Sequence, residues 1–131
     1  MNILFFLRPK PIIKYLNQRD SLREALEVMK SSGYTNLPVI NKEGEFVSTL
    51  SESDILFKIL EDDKFSMHEA EKIKISQLPR IKTYKTISIN NNIEDLFNIA
   101  IEQNYVPVVD DRNKFIGIVT RRDILKHFKN I

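Results

Sequence analysis

The sequence contains no cysteine, and only three of its 131 residues are glycine. Without cysteine, the chain can form no disulfide and has no thiol for catalysis or metal binding, which favours an intracellular setting. The sequence has no phosphate-binding loop, Gly-rich dinucleotide-binding turn or serine nucleophile motif. Its two histidines, His68 and His127, have no partner at the spacing of metal ligands. We therefore expect no enzyme activity, no metal and no cofactor.

The chain also lacks a strong excess of one charge and any long apolar run. It has 20 basic and 18 acidic residues, a net charge of +2. This near-balance gives no electrostatic argument for nucleic-acid binding. The apolar run Ile3–Leu7 is too short for a signal peptide, and no run reaches the length of a membrane span. We expect a cytoplasmic protein that binds neither nucleic acid nor membrane.

What the chain does contain is an internal repeat. The stretch PVINKEGEFVSTLSESDIL, beginning at Pro38, aligns without a gap with PVVDDRNKFIGIVTRRDIL, beginning at Pro107, at an offset of 107 − 38 = 69 residues. Short apolar runs separated by turn sequences predict a pair of strands in each stretch. A second helix follows each pair. Each half is therefore predicted to run strand–helix–strand–turn–strand–helix.

The first helix of each half is predicted from apolar periodicity. Residues 21–32 place apolar side chains on one face, a capping box of Ser21 and Glu24 opens the helix, and Gly33 ends it. Ile93 to Ala100 repeat the same apolar face.

The two halves are predicted to form one α/β fold. We expect a first repeat over 8–60, a linker over 61–80 with a short helix around Met67 to Lys72, and a second repeat over 81–131. Neither half alone would bury much apolar surface. We therefore expect the halves to pack around a pseudo-two-fold axis, with a cleft that offers two related sites.

These features resemble a tandem pair of cystathionine-β-synthase-type (CBS) domains, a Bateman module. The family motif matches Gly117-Ile118-Val119-Thr120-Arg121-Arg122-Asp123, whereas the first repeat has Ser48 in the glycine place and ends in Ser51-Glu52-Ser53-Asp54. The resemblance implies two β-α-β-β-α repeats and a regulatory module that binds an adenine nucleotide.

The stretches GYTNLPV, EQNYVPVVDD, LPR and VTRR are similar, more narrowly, to small stand-alone CBS proteins of Gram-positive bacteria that bind cyclic di-AMP. The chain departs from them in its short segment before Pro9 and in extra residues in KTYKTIS. This resemblance implies that cyclic di-AMP binds in the inter-repeat cleft and modulates a larger protein, with a stringent-response alarmone synthetase as the first candidate. The alternatives are an AMP/ATP energy sensor and a ligand-free dimerisation scaffold.

The resemblance also implies which residues bind the ligand. Ile13 and Lys14 are expected on the first strand, where backbone groups read the adenine edge. Residues 34–36 would contact base and sugar, a hydroxyl would bond phosphate or ribose, and an aspartate would accept ribose hydroxyls. The implied ligand-binding set is Ile13, Lys14, Tyr34, Thr35, Asn36, Thr120, Arg121, Arg122 and Asp123, and a second, related site would involve Ser51, Asp54 and Tyr105.

Several of these residues have a structural alternative. The Thr120/Asp123 and Ser51/Asp54 pairs would also serve as helix caps. Tyr34 and Tyr105 would also serve as core aromatics.

Arg121 and Arg122 fall in the first turn of a predicted helix. A cation there is unfavourable by roughly 0.3–1 kcal/mol, and a bound phosphate would reverse that cost. Guanidinium groups also bind phosphate in bidentate fashion. Glu52 replaces Arg121 in the first repeat and would repel phosphate, so we expect the anion at the second repeat. The alternative is that the two arginines form surface salt bridges with Asp110, Asp111 or Glu102.

Two predicted helices carry apolar residues beyond those needed for a core. They are Asp54–Leu60 and Asp123–Phe128. These helices would allow a homodimer.

Overall fold

The structure, a computed structural model, describes residues 1–79 and 83–129. Its described residues form two compact units. The repeat-one unit comprises Lys14–Lys42 and Val47–Thr83, and the repeat-two unit comprises Met1–Ile13, Glu43–Phe46 and Tyr84–Ile131. Arg80 of the LPR stretch, Lys82 of KTYKTIS and the predicted linker boundary lie outside the described residues.

The repeat-one unit has the predicted order of elements. Parallel strands β2 (Leu16–Asn17) and β3 (Asn36–Ile40) pair Leu16 with Val39, and β4 (Phe46–Ser51) lies on the other side of β3. The mixed α/β fold predicted from the sequence is confirmed. The elements are β2 (Leu16–Asn17), α1 (Leu22–Ser32), β3 (Asn36–Ile40), β4 (Phe46–Ser51), α2 (Glu52–Glu61) and α3 (Met67–Ala70).

Helix α1 begins and ends as its sequence predicts. The Ser21 hydroxyl accepts the Glu24 N–H at 3.1 Å, and the Glu24 carboxylate accepts the Ser21 N–H at 3.3 Å. Gly33 then adopts a left-handed φ of 77°, which glycine reaches without a Cβ penalty.

The core of the repeat-one unit is aliphatic. Each fully buried Leu, Ile or Val side chain contributes roughly 1.5–3 kcal/mol relative to exposure. Helix α3 is shorter than the predicted 67–72 segment, and its Ala70 reaches this core. The buried members are Leu16, Leu22, Ala25, Leu37, Val39, Leu50, Ile55, Ala70, Ile75 and Leu78.

The repeat-two unit repeats this order and adds a strand from the start of the chain. Its sheet has the strand order β1 (Arg8–Pro9), β7 (Phe115–Thr120), β6 (Tyr105–Val109) and β5 (Ile87–Ser88), with β5 parallel to β6 and the other two pairs antiparallel. The elements are β1 (Arg8–Pro9), β5 (Ile87–Ser88), α4 (Ile93–Glu102), β6 (Tyr105–Val109), β7 (Phe115–Thr120) and α5 (Arg121–Lys129).

The added strand β1 lies against β7 because Gly117 has no side chain. Pro9 is opposite Gly117 in the register. A Cβ at Gly117 would lie 2.2 Å from the Arg8 carbonyl oxygen, far inside van der Waals contact. In the first repeat the same place is occupied by Ser48.

Residues ahead of β1 complete the core of the repeat-two unit. Ile3 is fully buried and Phe6 is 6% exposed. The Phe6 ring lies 6.4 Å from Phe97 of α4 and 5.5 Å from His127 of α5, both edge-on. The start of the chain is therefore part of the second repeat's hydrophobic core.

Candidate functional site

Two of the first three backbone N–H groups of α5 donate hydrogen bonds that cap the start of the helix. The Arg121 N–H donates to the Asn104 carbonyl at 2.9 Å, and the Asp123 N–H donates to the Thr120 hydroxyl at 3.1 Å. No hydrogen bond from the Arg122 N–H to another described residue is seen outside the helix. Residues 120–123 thus form a capped helix start with a free donor at Arg122.

The Arg121 guanidinium binds the end of a neighbouring helix. Its Nε donates to the Ala100 carbonyl at 2.7 Å, and its Nη2 donates to the Ile101 carbonyl at 3.3 Å. These carbonyls belong to the last turn of α4, where a cation is favoured because the helix dipole is negative there. For Arg121, the partners are these carbonyls and not the carboxylates that the salt-bridge alternative required.

Arg122 is oriented differently. Among residues 1–79 and 83–129, no hydrogen bond or ion pair engages its guanidinium, and its side chain is exposed. It borders a surface cavity of about 490 Å³, and none of the described residues that line this cavity carries a carboxylate. A cavity lined by several positively charged side chains attracts anions. Its lining residues are Asn104, Arg121, Arg122, Leu125, Lys126 and Lys129.

Asp123 is held by Arg8 of β1. The Arg8 Nε lies 2.5 Å from one carboxylate oxygen, and Nη2 lies 2.8 Å from the other. The Asp123 side chain remains 26% exposed. The hydrogen bond from Arg8 lowers the pKa of Asp123 against the opposing effect of desolvation, and the Thr120 hydroxyl lowers it further.

The aligned residues of the first repeat form a complete capping box. The Ser51 N–H donates to the Asp54 carboxylate at 2.9 Å, and the Asp54 N–H lies 3.3 Å from the Ser51 hydroxyl. Asp54 is 6% exposed. The capping alternative therefore describes Ser51 and Asp54, whereas in the second repeat the carboxylate is turned to Arg8 and only the hydroxyl caps.

Tyr34 and Thr35 line an apolar cavity of about 590 Å³ beside α1 and α2. The Tyr34 side chain is 50% exposed, so it does not fill the core. The Thr35 carbonyl accepts the Glu52 N–H at 2.9 Å, the counterpart of the Asn104–Arg121 hydrogen bond. Asn36 begins β3 and donates to the Thr35 hydroxyl at 3.1 Å. These residues form one cluster within the repeat-one unit.

The prediction that Ile13 and Lys14 lie on the first strand is wrong. Ile13 closes a 3₁₀ turn over Lys10–Ile12 by donating its N–H to the Lys10 carbonyl at 3.3 Å. Lys14 is exposed and in neither helix nor strand, and the strand begins only at Leu16. Pro11 explains the difference, because it has no N–H to donate to a neighbouring strand.

Tyr105 is buried, and its ring packs against Tyr84, a residue that was not predicted from the sequence. Its ring centroid is 5.0 Å from that of Tyr84, and the Tyr84 hydroxyl donates to the Asn104 side chain at 2.7 Å. Burial raises the pKa of Tyr84, and nearby Arg121 opposes that rise. Gln103 anchors the segment, because its side chain accepts the Lys85 N–H at 2.6 Å. The extra residues in KTYKTIS were the sequence feature that could have pointed to Tyr84.

The described residues include neither a helix that could span a membrane nor a cluster of metal ligands. None of the helices there has the length and apolar character needed to cross a membrane. No group of three or more His, Asp or Glu side chains in that part of the chain is arranged to hold a metal ion.

Comparison with known proteins shows the family of this chain. A family model described as the CBS domain matches residues 7–61 and again residues 75–130. The protein therefore belongs to the CBS-domain family, with two copies of the domain in tandem.

Relatives with described functions differ widely in size. Inosine-5′-monophosphate dehydrogenase of Methanocaldococcus jannaschii is 30% identical over 116 residues, which are 84% of this chain and 20% of the dehydrogenase. The chain thus spans about a fifth of that relative's length. Cyclic di-AMP receptor B of Bacillus subtilis is 27% identical over 119 residues, which are 87% of this chain and 77% of the receptor.

A solved structure with the same fold carries a ligand. It is the CbpB protein of Listeria monocytogenes in complex with c-di-AMP, with 25% sequence identity and a TM-score of 0.84. The match covers 98% of this chain and 95% of the CbpB chain.

Proposed function

We propose that this protein is a regulatory module that binds cyclic di-AMP, with the phosphates at the start of α5. The observation that carries the proposal is the uncommitted guanidinium of Arg122, beside a cavity lined by cations. Two relatives support the choice of ligand, since one is named as a cyclic di-AMP receptor and the other was solved with c-di-AMP.

Each residue of the α5 start has a distinct role in this proposal. Arg122 binds phosphate through its guanidinium, and its backbone N–H adds a donor at the positive end of the helix. The Thr120 hydroxyl bonds a phosphate or ribose, and the Asp123 carboxylate accepts ribose hydroxyls, as the family resemblance implies. Arg121 supports the site by fixing α5 to the end of α4.

The remaining predicted contacts rest on the family resemblance. Tyr34, Thr35 and Asn36 would contact base and sugar, and Ile13 and Lys14 would contribute from irregular backbone instead of a strand. Ser51, Asp54 and Tyr105 would form the second site. Of the predicted ligand-binding residues, Arg121 has a supporting role in this proposal.

The test is a titration with cyclic di-AMP, AMP and ATP, using the wild type and Arg122→Ala. We expect cyclic di-AMP to bind most tightly, because it is the ligand named for two of the relatives. A hydrogen bond to a charged group contributes about 1.5–3 kcal/mol, so Arg122→Ala should weaken binding roughly 10- to 100-fold. Arg112→Ala, at an exposed arginine of the β6–β7 turn, is the matched control and should leave binding unchanged.

Other results of this titration would indicate other functions. Tighter binding of AMP or ATP would identify an energy sensor. A melting temperature that none of the three nucleotides raises would leave the ligand-free scaffold, since a ligand at a hundredfold excess over Kd stabilises by about 2.7 kcal/mol.

The proposed output is protein binding, with no catalysis by this chain. Large apolar side chains are exposed along α2 and α5, including Leu56, Leu60 and Leu125, at 52%, 68% and 62%. We propose that these faces form a homodimer, and that the occupied module regulates a larger cytoplasmic protein. A stringent-response alarmone synthetase is the first candidate, and co-purification with and without cyclic di-AMP would test it.

A further inference from the structure

Arg8 reaches the candidate site from a strand outside the repeated motifs. It belongs to β1, and its guanidinium binds both carboxylate oxygens of Asp123. We propose that Arg8 is a positioning residue of the nucleotide site, which orients the Asp123 carboxylate to accept a ribose hydroxyl. The inference rests on the proposed function and assigns the start of the chain a part in it.

The geometry allows Arg8 to orient the carboxylate without blocking it. Two parallel hydrogen bonds, at 2.5 and 2.8 Å, fix the plane of the carboxylate as a single contact cannot. Each carboxylate oxygen has a second lone pair that Arg8 does not use. The Thr120 hydroxyl also bonds this carboxylate. Because the Asp123 side chain is still 26% exposed, we expect a lone pair that neither Arg8 nor Thr120 uses to accept a hydroxyl donor.

The charge of Arg8 has a second effect at this site. A bare carboxylate next to Arg122 would repel a phosphate bound there. Arg8 offsets the negative charge of Asp123 and also keeps the carboxylate ionised, since its hydrogen bond lowers the pKa of Asp123. The carboxylate can therefore act as an acceptor while the local charge stays favourable to an anion.

The backbone of the second repeat is adapted to hold Arg8 in place. Arg8 is opposite Ile118 in the register of β1 and β7, and the close approach at the next pair needs glycine at position 117. In the first repeat, Ser48 occupies the glycine place, and the Asp54 carboxylate accepts the Ser51 N–H. In the second repeat, the motif aspartate is oriented by Arg8 of the added strand.

The test is a double-mutant cycle on cyclic di-AMP affinity with Arg8→Met, Asp123→Asn and the double variant. Methionine keeps an apolar stem but has neither charge nor donors. We expect Arg8→Met to lower the affinity about tenfold, and the double variant to bind no more weakly than Asp123→Asn alone, because Arg8 acts through Asp123. Arg8→Lys keeps the charge without the bidentate contact and should recover only part of the loss. Arg112→Met is the control.

The outcomes separate this inference from the proposed function. If the wild type binds no cyclic di-AMP, the proposed function fails. If the wild type binds but Arg8→Met binds equally well or better, the positioning role is refuted. Fully additive losses in the cycle would also refute it, because they would mean that Arg8 acts independently of Asp123. Melting temperatures of Arg8→Lys and Asp123→Asn identify losses of affinity that come from unfolding.

Discussion

The neighbouring arginines of α5 should differ sharply when each is replaced by alanine. Arg121→Ala removes two hydrogen bonds from a guanidinium to the carbonyls of Ala100 and Ile101. A hydrogen bond to a charged group contributes about 1.5–3 kcal/mol, but this side chain is only partly buried, so we expect a loss of about 1–2 kcal/mol. Arg122→Ala removes no such bond, and it relieves an unfavourable charge at a helix start, which should stabilise by about 0.3–1 kcal/mol.

Thermal and urea unfolding of the ligand-free protein measure this contrast. For a chain of this length, 1 kcal/mol corresponds to a shift of about 4 °C in melting temperature. Arg121→Ala should therefore lower the melting temperature by about 4–8 °C, whereas Arg122→Ala should leave it unchanged or raise it by a few degrees. Equal destabilisation by both substitutions, or a larger effect of Arg122→Ala, would show that this division of roles is wrong.

Three further predictions concern the repeat-two unit and the exposed helices. Gly117→Ala should detach β1 and lower the free energy of unfolding by about 3 kcal/mol or more, because the new Cβ meets the Arg8 carbonyl; a near-neutral value in urea unfolding would contradict this. Because the pKa of Asp123 is lowered, the stability that it contributes is present above its unfolded pKa of about 3.9 and is lost as the pH falls through the folded value. The stability difference between wild type and Arg8→Met, measured by denaturant at several pH values, should therefore narrow below about pH 4, and a constant difference would exclude the ion pair as its source. Leu60→Glu, at a residue that is 68% exposed, should shift the protein from dimer to monomer in sedimentation velocity while its circular dichroism spectrum remains that of the folded protein; an unaltered sedimentation coefficient would exclude this face.

Local signals account for what the sequence could predict. The capping box at Ser21, the left-handed Gly33 and the apolar periodicity of α1 each depend on residues within one turn of the helix. The internal repeat then transferred the same order of elements to the second half, where the structure confirms it. The first turn of α5, predicted to begin at the two arginines, was confirmed for the same reason.

Contacts between distant residues account for what the sequence could not predict. Arg8 pairs with Ile118 across 118 − 8 = 110 positions, and no periodicity reports such a partner. The acceptors of Arg121 are backbone carbonyls, which are the same whatever residue carries them, so composition gives no signal for them. Ile13 was misplaced because the family resemblance implied a strand there, while the missing N–H of Pro11 favours a turn.

The strand β1 also has a consequence for the order of events during synthesis. Ile3 and Phe6, which are buried in the repeat-two unit, leave the ribosome before the rest of this sequence. At about 5–20 residues per second, the roughly 110 residues up to β7 take on the order of 5–20 s to make. For that interval the first apolar side chains have no strand to join. Ile3 and Phe6 therefore become part of the folded repeat-two unit only after β7 has been made.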